Sequence, residues 1–418
     1  MRVFKSIMCI FLCALCLTLC CCGEKNQSLT REYTRSASVP VYDFFADEPQ
    51  TPDNYQEFTS AYLDFASNLL KNAESDESCV LSPLSLYTVL SMTASGTSGK
   101  TLRELEKTLG QELRISEINT FIHYLNERVK VLNSEKGFVN SANSIWIRDN
   151  FSVKAQFLQT AVNYYDSEVF RTALNADEIN GWIEDKTDGE IKDMLSELDN
   201  DTALVLVNAL LFDDEWLTEY EESDIYDAGF RGTKGEELVS FMSSNEMFIE
   251  SKDAKGMIKS YKNTPCKFVA ILPDENISVD EYVESLSGSK LENLLGSANG
   301  INRCVAHLPQ FDLRSKLSLN DTAKAMGIEL MFTDEANFDG LTMSDGLKVT
   351  DILQESFVEL NSKGTKAGSS TAIAVKPGSP NAPESDILSL VFDRPFVFMI
   401  VENESNLPLF IGTVKSIG

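Results

Sequence analysis

Histidine is nearly missing: the 418 residues include two, His123 and His307. So few imidazoles exclude His-rich metal sites and leave little material for a His-based catalytic triad, and neither is flanked by a nucleophile motif such as Gly-x-Ser-x-Gly. Basic residues are also scarce, 36 Lys and Arg against 64 Asp and Glu, for a formal charge of −28. A surface that acidic repels phosphate backbones, so general nucleic-acid binding is not expected. Among so many acids no catalytic carboxylate pair stands out, and solvated or capping acids account for nearly all of them. Beyond the N-terminus no run approaches the ~18 apolar residues that cross a bilayer as a helix. Cysteine is sparse in the body of the chain. Cys79, Cys266 and Cys304 are too far apart for a disulfide framework or a Cys-x-x-Cys zinc site and read as small buried hydrophobes. No ligand cluster is visible, so neither metal nor organic cofactor is expected.

The other six cysteines (Cys9, Cys13, Cys16, Cys20, Cys21 and Cys22) crowd the first 22 residues. Arg2 and Lys5 precede an apolar run from Ile7 to Leu19, the layout of a secretory signal. Its end, Leu19 to Gly23, is similar to a bacterial lipobox, with Cys22 as first choice for lipidation and Cys20 as second. The alternative is an ordinary cleaved signal. Either way the mature protein is expected to be exported, lipid-anchored at a membrane or cell surface or else secreted, and to meet a membrane only through the anchor. Residues 23–52 are polar, contain proline and lack a helical period, which suggests a tether. From Tyr55 onward the texture is globular, without an internal repeat or second linker, so one large domain is expected over 53–418.

That domain mixes both periods. Phe58, Tyr62, Phe65, Ala66 and Leu69 fall at helical spacing, as do Leu102, Leu105 and Leu109 before Gly110. Phe121 to Val131 reads as a further helix, and a polar helical stretch lies between Asp274 and Ile301. Runs over 202–211, 268–272 and 396–401 read as strands. Helices dominate the first half and strands the second, which predicts an α+β fold.

Two stretches imitate an ATPase. Ala94 to Thr101 fits a relaxed phosphate-loop pattern, and the apolar run Leu204 to Phe212 ends in Asp213, Asp214 and Glu215. A phosphate loop must follow a buried strand, but Pro83 to Met92 carries Leu86, Val89, Leu90 and Thr93 at helical spacing. The imitation fails on context.

The most informative stretch lies near the C-terminus. Phe357 to Asn361 alternates like a strand and is followed by Ser362, Lys363 and Gly364. A long run of small residues comes next, then Pro377, Pro380 and Pro383. Alternate residues of the run, Thr365, Ala367, Ser369, Thr371, Ile373 and Val375, would share one strand face, the smallest leading and the β-branched following. Taken alone this is a surface loop; its alternation also suits insertion into a sheet.

Over about residues 57 to 418 the sequence resembles the serpins. Ser82-Pro83-Leu84-Ser85-Leu86, followed by Gly96, Gly99 and Thr101, is similar to the family's early helix and turn. Asn143 to Trp146, Asn180 to Ile183 with Thr187, Gly189 and Ile191, and Val207-Asn208-Ala209 with Phe212 and Trp216 follow in family order. So do Leu308-Pro309-Gln310-Phe311, Leu319, Met326-Gly327-Ile328 and Phe332. The ending, Phe392 to Phe396 and Pro408 to Gly412, is close to the family signature.

The resemblance implies three β-sheets, about eight or nine helices, and an exposed reactive-centre loop over about 362–386. It implies an irreversible inhibitor of extracellular serine proteases, a suicide substrate rather than an enzyme. The target cleaves the loop and is held as an acyl-enzyme while the cut loop adds a strand to the central sheet, as serpins are recognised to do. By the same resemblance the insertion hinge spans Gly364, Thr365, Lys366, Ala367, Gly368, Ser369, Ser370 and Thr371. Ser82, Ser85, Asn208, Trp216 and Gln354 would belong to the region that opens. The family's spacing from Gly364 puts the reactive bond at Gly378–Ser379. Ala374 and Val375 are alternative bait residues, suiting elastase- or subtilisin-like proteases. Ser362 and Lys366 stand where the family usually has acids, Asp213 where it has a base, and Gln354 where it has a histidine. The protein is expected to be a monomer. A serpin-fold carrier that does not inhibit is the alternative, and a solute-binding lipoprotein would explain the anchor but not the motif series.

Overall fold

The computed structural model describes residues 27–29, 32–44, 46, 50–73, 76–131, 136–298, 302–366 and 388–417. Among them are nine α-helices. The first six are α1 (Tyr55–Ala73), α2 (Pro83–Ser95), α3 (Gly99–Gly110), α4 (Ile115–Val131), α5 (Ala155–Tyr165) and α6 (Ala176–Lys186). The shorter α7 (Val279–Glu284), α8 (Gly288–Gly296) and α9 (Asn320–Ala325) come later. The early strands are β1 (Gln27–Ser28), β2 (Cys79–Leu81), β3 (Phe138–Arg148), β4 (Glu168–Thr172) and β5 (Leu204–Glu215). Then come β6 (Ile225–Gly232), β7 (Gly235–Glu250), β8 (Ala254–Ser260), β9 (Cys266–Pro273), β10 (Arg303–Pro309) and β11 (Phe311–Ser318). The last are β12 (Leu353–Leu360), β13 (Gly364–Lys366), β14 (Leu388–Val391), β15 (Phe396–Glu402) and β16 (Pro408–Val414). Helices in the first half and strands in the second make the α+β fold.

One sheet runs β1-β4-β3-β5-β13-β12-β11. The other runs β14-β10-β7-β8-β9-β15-β16-β2, with β6 on β7. Two hydrogen-bonded networks form among the described residues where three sheets were expected, because β7, 16 residues long, pairs with β6 and β10 over most of its length and with β8 at its end and so joins these strands into one sheet. Strands β15 and β16 are buried at every position, so they read as continuous apolar runs rather than alternating ones.

Helix α2 packs against β5 of the first sheet and β16 of the second. Ser82 caps it, its Oγ accepting from the Ser85 amide at 3.2 Å, and Pro83 occupies the first helical position, where a missing N–H costs nothing. Leu84, Leu86, Tyr87, Leu90 and Met92 are buried around the helix rather than along one stripe, as a helix enclosed by the core requires. Cys79, Cys266 and Cys304 are buried on β2, β9 and β10, and burial pushes the Cys266 thiol up to about 12.

Part of the leader expected to be a tether is docked. Strand β1 adds to the edge of β4, and the Leu29 amide donates to the Val169 carbonyl at 2.9 Å. Arg35 pairs with Glu127 at 3.0 Å, and the Ser36 amide donates to Asn163 at 2.9 Å. His123 Nε2 lies 2.9 Å from the Pro40 carbonyl, and Tyr42 and Phe44 pack on Tyr124. Val39 is buried. These scattered apolar side chains follow no helical or strand period, so composition alone reads the segment as solvated.

Candidate functional site

Strand β5 has two unlike edges. On one side it pairs with β3 without interruption from Phe138↔Asp213 to Ile147↔Leu204. On the other, among the described residues, it meets only the three of β13, Gly364↔Glu215, Thr365↔Asp214 and Lys366↔Asp213. Strand β13 in turn pairs with β12 through Leu360↔Thr365 and Glu359↔Lys366. Beyond Lys366 the space between β5 and β12 is a cavity of about 460 Å³. Its floor is α2, presenting Ser82, Ser85 and Val89, and its walls include Asn208 on β5 and Gln354 on β12.

The slot is polar at its middle. The Gln354 side chain grips the Ser82 backbone with both ends, Oε1 accepting from the amide at 3.0 Å and Nε2 donating to the carbonyl at 2.9 Å. A side-chain amide, with one acceptor and two donors, matches a peptide group in this way. Ser82 Oγ also lies 3.0 Å from the Leu409 carbonyl, which ties the helix cap to β16. Asn208 Nδ2 donates to Asn143 Oδ1 at 2.9 Å, while among the described residues no donor reaches the buried Asn208 Oδ1.

The upper end of the slot is built around glycine and an aromatic wall. A Cβ on Gly364 would come within 2.1 Å of the Asp214 carbonyl oxygen, so only glycine allows the chain to approach β5 there. Asn361 folds the entry, its Oδ1 accepting from the Lys363 amide at 2.9 Å. Thr365 is fully buried, and the Tyr261 hydroxyl donates to its Oγ1 at 2.7 Å. Trp216, also fully buried, stacks on Tyr261 with ring centroids 4.7 Å apart, and its Nε1 donates to the Asn361 carbonyl at 2.9 Å. Lys259 sits 5.5 Å from the Trp216 ring and 2.6 Å from the buried carboxylate of Glu246, so the charge under this wall is paired.

Two departures from the family pattern meet across the ladder. Lys366 lies 3.9 Å from Asp213, its register partner on β5, and Glu359 is its partner on β12. Burial pushes the Asp213 carboxyl above the usual carboxylate range, opposed by Lys366. Burial does the same to Glu359, opposed by the Asn361 hydrogen bond and by Lys366. The base-for-acid and acid-for-base replacements are one reversed pair.

The structure therefore brings Gly364, Thr365, Lys366 and Trp216 together at the slot's upper end and Ser82, Ser85, Asn208 and Gln354 along it. The loop's first residues are seated in the sheet rather than exposed, because Gly364 permits close approach and Thr365 finds a hydroxyl partner. Ala367, Gly368, Ser369, Ser370, Thr371, Ala374, Val375, Gly378, Ser379 and the lipidation candidate Cys22 lie outside the described residues. Tyr261, Lys259, Glu246 and Asn361 were missed by sequence reasoning. Only Asn361 carried a usable signal, since Asn followed by Gly364 marks a turn. The phosphate-loop imitation joins α2 to α3, and its supposed magnesium strand is β5.

A fold with a cavity inside its sheet, and a loop entering the top of that cavity, belongs to a defined class of protein. The family model described as Serpin (serine protease inhibitor) matches residues 60–417, and the chain belongs to that family. It is 28% identical over 404 residues to an uncharacterised serpin-like protein of Thermococcus kodakarensis, covering 94% of this chain and 92% of that protein. It is 30% identical over 375 residues to Serpin-Z1C of Triticum aestivum, covering 84% and 93%. Among solved structures, the thermophilic serpin Tengpin in its native state matches with a TM-score of 0.82 and 33% identity, covering 94% of this chain and all of that one.

Proposed function

We propose that the protein is an irreversible serine protease inhibitor that works by loop cleavage and insertion. The observation that carries this reading is the half-filled slot. The strand that would complete the sheet has its first three residues in place, and the sequence continues from them into the run of small residues from Ala367. Because Thr365 is buried and side chains alternate along a strand, Ala367, Ser369, Thr371, Ile373 and Val375 would point inward in the same register. Those are the small and β-branched residues, so none brings an uncompensated charge under the sheet. Were the register continued one residue at a time, Thr371 would come between Asn208 and Gln354 and Val375 opposite Leu204, where β5 begins. A hydroxyl at that place can donate to the unpartnered Asn208 oxygen.

In this mechanism the protease's serine attacks the loop carbonyl and the new N-terminus leaves. Insertion of the freed strand then outruns hydrolysis of the ester. The driving force is the ladder of backbone hydrogen bonds and apolar contacts that the slot lacks until the strand arrives. Subtilisin- or elastase-like targets are favoured, since Lys376 is the one basic residue near the expected bond and is followed by Pro377.

The test is incubation with subtilisin or pancreatic elastase, followed by a denaturing gel and mass spectrometry of the released C-terminal fragment. A covalent band with a fragment beginning at Ser379 supports the reading, and one beginning at Val375 or Lys376 moves the bait upstream. Cleavage without a covalent band overturns inhibition and leaves the carrier reading.

We also propose export and lipidation at Cys22. Only residues 23–26 separate Cys22 from β1, so the anchor would hold the domain close to the bilayer rather than on a long tether. Palmitate labelling that survives in Cys22→Ser would overturn this.

A further inference from the structure

We propose that Lys366 is a positioning residue of the insertion step, a charge that admits the loop to the slot in only one register; this rests on the inhibitory reading above. Strand β13 has three residues; the close approach at Gly364 is one check on its register, and slipping by one residue would also exchange its two faces. Thr365 and Lys366 occupy opposite faces. Thr365 points inward to the Tyr261 hydroxyl, while the Lys366 side chain keeps about a quarter of its surface exposed.

In the observed register the ammonium has an acid as ladder partner on each side, Asp213 on β5 and Glu359 on β12. Both carboxyls are pushed up by burial and both are relieved by Lys366, so the three groups share one field. Slipped by one residue, the lysine would turn under the sheet toward Tyr261, where the facing buried carboxylate, Asp214, already accepts from the Asn263 and Thr264 amides and Glu246 already holds Lys259. Burying an ammonium there gives up its water for acceptors that are already taken. The observed register offers the charge two acids of its own and the neighbouring one buries it, the combination that specificity requires.

The loop behind Lys366 starts with residues too small to correct a slip. Ala367, Gly368, Ser369 and Ser370 would pack almost equally well on either face, so register must be set before they enter. Lys366 is the last residue before them.

The test uses the full mature chain with Lys366→Glu and the reversed pair Asp213→Lys/Lys366→Glu. Three quantities are measured: serpin consumed per subtilisin inactivated, hydrogen exchange over Gly364–Lys366, and melting temperature. Lys366→Glu should raise the serpin consumed by roughly 2–5-fold, the range expected for losing a partly exposed ion pair. It should also speed exchange at the hinge. The reversed pair should restore both toward wild type. A merely structural role would lower the melting temperature and leave the consumption ratio unmoved. Wild-type stoichiometry in Lys366→Glu, or a reversed pair no better than the single variant, overturns the proposal. Should the wild type itself trap no protease, the inhibitory reading fails separately. Hinge exchange then decides, and unchanged protection of Gly364–Lys366 in Lys366→Glu overturns the positioning role.

Discussion

The two edges of β5 belong to one strand of one composition, yet one is zipped to β3 along its length and the other faces a cavity below Lys366. Nothing in Leu204–Glu215 distinguishes the edges, because a strand offers the same N–H and C=O groups to both sides in alternation. The difference lies in what the rest of the chain supplies. Strand β3 is present in full, whereas the chain that could complete the other edge continues past Lys366 into the loop. In the proposed mechanism, the stretch of ladder left open among the described residues is the source of the free energy that loop cleavage would release.

The largest effect expected along this contrast is Thr365→Arg. Thr365 has no exposed surface and sits against Tyr261, so a guanidinium would have to be buried beside Asp214, whose oxygens already accept from the Asn263 and Thr264 amides. The covalent protease band on a denaturing gel should give way entirely to cleaved serpin; an undiminished band would show that the upper end of the slot yields easily.

Ile145→Ala tests the finished edge. Ile145 is fully buried on β3, and truncation there should cost about 2–5 kcal/mol in urea unfolding. Gln354→Ala acts at the slot wall and removes two hydrogen bonds from the Ser82 peptide, leaving the amide without its partner and the carbonyl with the Leu86 amide alone. It should cost about 1–3 kcal/mol and speed loop insertion, read as the rate of complex formation.

Val89→Leu reverses the sign. Added volume on the slot floor should raise stability by about 0.5–2 kcal/mol in urea unfolding while turning more molecules from inhibitor into substrate. If stability and inhibition rose together, the unfilled edge would not be the source of the inhibitory energy.

The smallest effect tests a region far from both edges. Burial holds His123 below its ordinary value of 6.5 where it meets Pro40. Below pH 6.5 the unfolded chain takes up the proton before the folded one, so stability is full above that value and falls as the medium acidifies. His123→Gln, which keeps a donor for the Pro40 carbonyl but does not titrate, should flatten this acid loss in melting temperature and leave complex formation unchanged.

Much of the architecture was legible in the residues themselves. Helical spacing from Phe58 to Leu69 and from Leu102 to Leu109 lies within α1 and α3, and the apolar runs near 204, 268 and 396 became β5, β9 and β15. Such readings work because burial imposes the local period of the backbone on the side chains. The inward side of Thr365 was legible too, as the first residue of an alternating run. Pairing partners were not. That Lys366 lies beside Asp213, that Gln354 closes on the Ser82 peptide, and that Tyr261 reaches Thr365 depend on segments more than a hundred residues apart coming into register. The leader's docking on α4 escaped for the same reason, since its few apolar side chains have no period of their own and gain meaning only from the surface they meet. Local sequence determined which segments become strands and which face each presents. Only the tertiary structure decided which edge of β5 would be left incomplete, because a missing neighbour is a property of the whole sheet and of no single segment.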